Sequence, residues 1–150
     1  MYNFSILPHL LPLAAAYALA FPIAWDREKG SRSAGLRTFP LVALAACGFV
    51  QATEGFAAAD PAAMARIVEG LITGVGFIGG GAIIRHGHSV RGTATAASLW
   101  ATGAIGAATG LGNYGVAVLI SVFTFATFRI FRLFKGDEWA DNPEDTEKPG

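Results

Sequence analysis

The sequence predicts an all-α fold: a polytopic bundle of about five transmembrane helices, N-terminus outside and C-terminus inside. Three observations predict it. Hydrophobic residues make up 53% of the chain and charged residues only 15%, with a mean hydropathy of +0.46, so the charged fraction falls well below that of an average soluble domain. The apolar residues gather in five blocks, near 6–25, 39–58, 67–84, 94–111 and 115–134. Each block is close to the ~20 residues that cross the hydrocarbon as a helix. Glycine, alanine, serine and threonine crowd the third and fourth blocks. A water-exposed helix of that composition loses too much backbone entropy to form readily, whereas in lipid small side chains let helix backbones approach closely.

A net charge of zero hides a sided distribution. With the N-terminus outside, the inner side holds Arg27, Lys29, Arg32, Arg37, Arg85, Arg91, Arg129, Arg132, Lys135 and Lys148, and the outer side holds only Arg66. Ten against one is the positive-inside pattern of a multi-pass protein in a bacterial inner (cell) membrane. The single cysteine, Cys47, excludes an internal disulfide. The lipid bilayer is the first expected partner, and no nucleic acid is expected.

The first block carries Pro8, Pro12 and Pro22, kinks that a bundle tolerates when neighbours satisfy the freed carbonyls. Ala18-Leu19-Ala20 resembles a signal cleavage site, but residues 1–25 contain no Lys or Arg for a positive leader, so a retained span is expected. The connection from Asp26 to Thr38 alternates acids and bases that pair with one another or with anionic headgroups, and Thr38 is placed to cap the second helix. In that helix Cys47, Gln51 and Glu54 share a face. In the third, Arg66, Glu69, Thr73, Gly76 and Gly80 step by three and four and do the same. A short basic loop, Arg85 to Arg91, leads to the fourth. There Thr95, Ser98, Thr102 and Thr109 form a hydroxyl stripe beside a groove of Gly103, Gly106 and Gly110, which belongs at the centre of the bundle. The fifth block, with Phe123, Phe125, Phe128, Phe131 and Phe134, suits a lipid-facing anchor whose Arg129, Arg132 and Lys135 snorkel to the inner interface. Residues 1–135 thus form the membrane domain. Residues 136–150, holding six of the eleven acids, read as a disordered, solvated cytoplasmic tail.

Polar or small stripes on three helices converge most simply on one interior seam of Gln51, Glu54, Arg66, Glu69, Thr73, Thr95 and Ser98. Two readings compete. In one, hydroxyls and glycines join helix backbones and Arg66 pairs with Glu54 or Glu69. In the other, the seam is a cation or proton site, since a charge in the membrane costs roughly 3 kcal/mol or more and marks function by default. Gly74-x-Gly76-x-x-Gly79 matches the dinucleotide fingerprint by letter, but it lacks the preceding strand and the following acid that the fingerprint requires. Gly70/Gly74 and Gly76/Gly80 read instead as small-xxx-small packing motifs, with Gly103, Gly106 and Gly110 in the same role. His86 and His88 have no third ligand near in sequence and read as solvated loop residues, so no metal site is assigned. No nucleophile–base or acid–base constellation is present, so the chain is expected not to be an enzyme and to need no cofactor.

Taken together, several separated blocks in this chain resemble the MgtC/SapB family of bacterial inner-membrane proteins. They are Asp26-Arg27-Glu28, Ala34-Gly35-Leu36-Arg37-Thr38, Arg66-Ile67, the run Gly74-Val75-Gly76-Phe77-Ile78-Gly79-Gly80-Gly81-Ala82-Ile83-Ile84, Val90-Arg91-Gly92, Thr95-Ala96-Ala97-Ser98-Leu99-Trp100, Gly106 and Gly110-Leu111-Gly112. Together they cover residues 20 to 130. Departures are Asp26 where the family usually has Glu, Gly79-Gly80-Gly81 where it has Gly-Ala-Gly, and Thr93-Ala94 within a stretch that is often Gly-Leu-Thr-Thr-Ala-Ala. Longer relatives carry a soluble C-terminal domain where this chain has its acidic tail. The resemblance implies a regulatory role in growth under magnesium limitation, including restraint of the proton-translocating ATP synthase and an interaction with Mg2+. It also implies, in pathogens, survival inside host cells. The alternative is a small Mg2+ or proton transporter or channel working through the polar seam. Glycine-rich faces favour a homo-oligomer, a dimer first, or docking on another membrane protein.

Overall fold

The computed structural model describes residues 6–29, 34–53, 60–87 and 89–134. Among them are five helices: α1 (Leu7–Lys29), α2 (Thr38–Gln51), α3 (Pro61–Gly81), α4 (Thr93–Gly110) and α5 (Tyr114–Phe134). A hairpin of β1 (Ile84–His86) and β2 (Ser89–Arg91) joins α3 to α4. The expected acidic tail, Lys135 and Lys148 lie outside the described residues.

Of the five expected spans, three helices are long and apolar enough to cross a membrane: α1, α3 from Ala62 and α5 to Arg132. The other two fall short for different reasons. α2 has 14 residues, about 21 Å at 1.5 Å per residue, less than the ~30 Å of hydrocarbon. α4 reaches 18 residues, but its four threonines, serine and three glycines dilute its apolarity.

Contacts between helices fix their relative directions. Leu13 lies beside Gly48 and Glu28 beside Gly35, so α1 and α2 run oppositely. Gly106 meets Ala43 and Gly110 meets Cys47, so α2 and α4 run the same way. Gly79 meets Ala96 and Gly103 meets Val75, which makes α3 antiparallel to α4. Leu19 bonds Ser121 and Asp26 bonds Arg132, which makes α1 and α5 parallel. The chain therefore reverses at every connection. One end of the bundle collects Arg27, Lys29, Arg37, Arg85, Arg91, Arg129 and Arg132, and the opposite end has Arg66.

α4 is the central helix, as its small-residue stripe implies, and packs against all four others. Ile23, Ala24, Phe39, Leu99, Ile105 and Ala117 form the larger core. Ala16, Ala20, Ala43 and Cys47 form a smaller one between α1 and α2. So many alanines bring these backbones close, the contact lipid favours when no hydrophobic driving force acts between helices. α5 is not lipid-facing all round: Phe123 and Phe131 are exposed, while Phe125 and Phe128 pack against the core. α3 is the outlier. Its buried residues are Val75 and Gly79, both turned toward α4, and the other described residues of the helix are at most half-buried.

The loop expected at residues 85–91 is instead a β-hairpin with Ile84 opposite Arg91, Arg85 opposite Val90 and His86 opposite Ser89. Gly87 reverses the chain at φ 55°. His88 lies outside the described residues. Gly92 then opens α4 at φ 92°, its α-carbon against the Ala82 carbonyl. A side chain there would meet both a left-handed backbone and a carbonyl that cannot move aside. Gly92→Ala is expected to destabilise the protein by about 2 kcal/mol or more, measured by thermal unfolding in detergent.

Candidate functional site

Three consecutive residues at the end of α1 face three different neighbours, because successive helical positions turn by roughly 100°. Asp26, buried, accepts a 2.8 Å ion pair from Arg132 Nη2 of α5. Arg27, also buried, donates from Nη2 to Thr95 Oγ1 of α4 at 2.7 Å and lies over the Phe128 ring of α5, 4.5 Å from its centre. Glu28 accepts from the Leu36 backbone N–H at 2.9 Å, holding the turn into α2. A Cβ at Gly35 would push the Glu28 carboxylate out of this bond. The motif Asp26-Arg27-Glu28 thus fastens α1 to α5, to α4 and to the start of α2 at the basic end of the bundle. A buried guanidinium is tolerated because a hydroxyl and an aromatic face replace part of its hydration.

Thr95→Val removes the acceptor for Arg27 while keeping the volume. Hydrogen bonds to charged groups contribute about 1.5–3 kcal/mol, so the variant is expected to lose stability on that scale. Thr93→Val, an exposed neighbour on the same turn, should show no comparable change.

Beyond Thr95, the hydroxyl stripe of α4 bonds its own helix. Ser98 donates to the Thr95 carbonyl at 2.9 Å, Thr102 to the Ser98 carbonyl at 2.8 Å, and Thr109 to the Ile105 carbonyl. Such back-bonding lets polar residues sit in an apolar interface without presenting an open donor. The glycines beside the stripe are where neighbours come closest. Val75 of α3 lies on Gly103, Ala43 and Ala46 of α2 on Gly106, and Cys47 and Val50 on Gly110.

The single seam expected from the sequence does not form. Thr95 and Ser98 are buried at the basic end, and Gln51 is buried at the end of α2, where its Oε1 has no hydrogen-bond partner among the described residues. Arg66, Glu69 and Thr73 lie on the exposed side of α3, and Thr73 donates to its own helix at the Glu69 carbonyl. No ion pair joins Arg66 to Glu69 among the described residues. Glu54 lies outside them. The error was to treat polar positions on α3 as inward-facing; its apolar Val75 and backbone Gly79 make the packed edge instead. Gly74, Gly76 and Gly79 lie within a continuous helix, so the fingerprint spacing has no phosphate loop to form.

Among the remaining motif residues, Phe77 is 84% exposed and Trp100 52%, and Gly70, Gly74, Gly76, Gly80 and Gly81 have open space where a side chain would project. No group of three His, Cys, Asp or Glu side chains gathers among the described residues. The contacts of Arg27 and Asp26 with α4 and α5 escaped sequence reading because they join residues 68 to 106 positions apart. The local hint was four consecutive charges, Asp26 to Lys29, at a helix end.

The model of the MgtC family matches residues 13–136. The chain is 38% identical to Protein MgtC of Salmonella typhimurium over 115 residues, 77% of this chain and 48% of that protein. It is 36% identical to Protein MgtC of Brucella abortus over 120 residues, 80% of this chain and 50% of the relative. It is 33% identical to Protein SrpB of Synechococcus elongatus over 141 residues, 85% of this chain and 76% of that one. The chain spans about half the length of the MgtC relatives it matches. No solved structure matches it.

Proposed function

The chain belongs to the MgtC family, and on that premise we propose that it is a non-enzymatic, multi-pass protein of the bacterial inner membrane that acts by binding and regulation in magnesium or ion homeostasis. All five helices cross, the two shorter ones by local thinning of the bilayer, with the basic end in the cytoplasm in accord with the positive-inside rule. The partner is another membrane protein, with the ATP synthase as the first candidate from the family resemblance, or a second copy of the chain.

The observation that carries this reading is the bare face of α3. A helix with Gly76 and Gly80 open to its surroundings, and Phe77 standing beside them, presents backbone to lipid where another helix packs better. Interior hydroxyls that bond their own helix favour a binding role over a conduit. A test is growth of a strain lacking the gene under magnesium limitation, together with ATP-driven proton pumping in its inverted membrane vesicles. Restoration by the wild-type chain but not by Gly76→Leu, at equal membrane abundance, is the expected result. Equal rescue by both would overturn the assignment to α3.

The second reading, a small transporter or channel for Mg2+ or protons, has one observation in its favour: the buried Gln51 carbonyl oxygen that lacks a partner among the described residues. Flux into proteoliposomes that disappears in Gln51→Leu would establish transport in place of regulation.

A further inference from the structure

A groove of about 730 Å³ runs between α2 and α3, where α3 stands away from the bundle. Between its ends the walls are apolar, with Leu41, Ala45 and Phe49 on one side and Ile67, Gly70 and Gly74 on the other, and Arg66 stands at the end away from Arg37. At the basic end its mouth is formed by Arg37 and Thr38. Arg37 is exposed, and no acid pairs with it among the described residues. The first amides of α2 are already taken, Thr38 and Phe39 both donating to the Gly35 carbonyl, and Pro40 has none to give. An anion at this mouth would therefore meet the Arg37 guanidinium and the Thr38 hydroxyl, with the helix dipole adding to the attraction.

We propose that this groove binds one anionic phospholipid of the leaflet at the basic end, its phosphate on Arg37 and one acyl chain along Gly70 and Gly74. The dimensions agree. From Arg37 to Phe49 the groove runs twelve residues of α2, about 18 Å, and one leaflet supplies about half of the ~30 Å hydrocarbon. The charge also agrees. A cation at the headgroup level is matched by an anionic lipid and not by a zwitterionic one. The glycines give the groove its depth, since nothing occupies the space where their side chains would stand. This assignment is independent of the regulatory reading, which concerns the opposite face of α3.

Native mass spectrometry of the full chain in detergent tests it, with phosphatidylglycerol and phosphatidylcholine of identical acyl chains. The wild type is expected to retain one phosphatidylglycerol, preferred over phosphatidylcholine by roughly fivefold, about what one interfacial Arg contributes. Arg37→Gln should erase the preference while leaving weak binding of both lipids. Gly74→Leu should reduce both, whereas Gly76→Leu, adding the same bulk to a position outside the groove, should match the wild type. Ala45→Phe fills the groove from the α2 side and guards against a folding defect in the α3 variant, with helicity by circular dichroism as the control. Equal retention of the two lipids, a preference that survives Arg37→Gln, or no difference between Gly74→Leu and Gly76→Leu would overturn the proposal. So would dimers that dissociate on Gly74→Leu with no lipid bound, which would give the groove to a second copy.

Discussion

Replacing Gly106 with leucine is expected to prevent the bundle from closing, with loss of folded protein from the membrane fraction. A Cβ at this position would stand 2.7 Å from the Ala46 Cβ and closer still to the Ala43 carbonyl, which belongs to a helix backbone and cannot rotate away. Overpacking a tight contact costs typically 1–3 kcal/mol, and the absence of any yielding side chain places this case at about 3 kcal/mol or beyond. Even alanine should be costly here. The contrast within the same chain is the control: Gly76→Ala meets nothing within 4 Å, so it should be neutral or stabilise by about 0.5–1 kcal/mol through helix propensity. Thermal unfolding in detergent and protein recovered from membranes read both. Tolerance of leucine at 106 would mean that α2 and α4 do not pack as described.

The second large effect is expected from Arg132→Ala. It leaves the Asp26 carboxylate buried with its 2.8 Å ion partner gone. Removing one member of a buried pair costs about 3–5 kcal/mol. Because the Arg132 side chain is about half exposed, solvent screens part of the interaction, and about 1–3 kcal/mol is the fitting range. Asp26→Asn removes the need for a counter-charge, so the double variant should recover most of what Arg132→Ala loses. A double-mutant cycle on unfolding temperature measures that coupling, and additivity of the two changes would show that the residues do not interact.

How much of this was readable beforehand depends on the range of the interaction. The helices were legible, because block length and small-residue content are local properties. The central place of α4 was legible too, since a helix of threonine and glycine gains little by facing lipid. The hairpin was missed because Ile84, Val90 and their basic neighbours read as a polar turn between hydrophobic blocks. Its cue was Gly87 at a reversal flanked by β-branched residues. The seam failed because periodicity assigns residues to a common face but does not say which way the face looks. On α3 the face of Arg66, Glu69 and Thr73 looks outward. Asp26-Arg27-Glu28 drew notice as a family motif, yet its partners Thr95, Phe128 and Arg132 lie too distant in sequence for any spacing rule to find.

Where α3 meets α4 at Gly79 and Ala96, beside the short β-hairpin, two backbones touch with nothing between them. From Gly79 back to Arg66 α3 runs 13 residues, about 20 Å, so a displacement of its Arg66 end would be carried to the N-terminal turn of α4, where Thr95 receives Arg27. Movement at one end of the bundle would thus be transmitted along a single helix to the other.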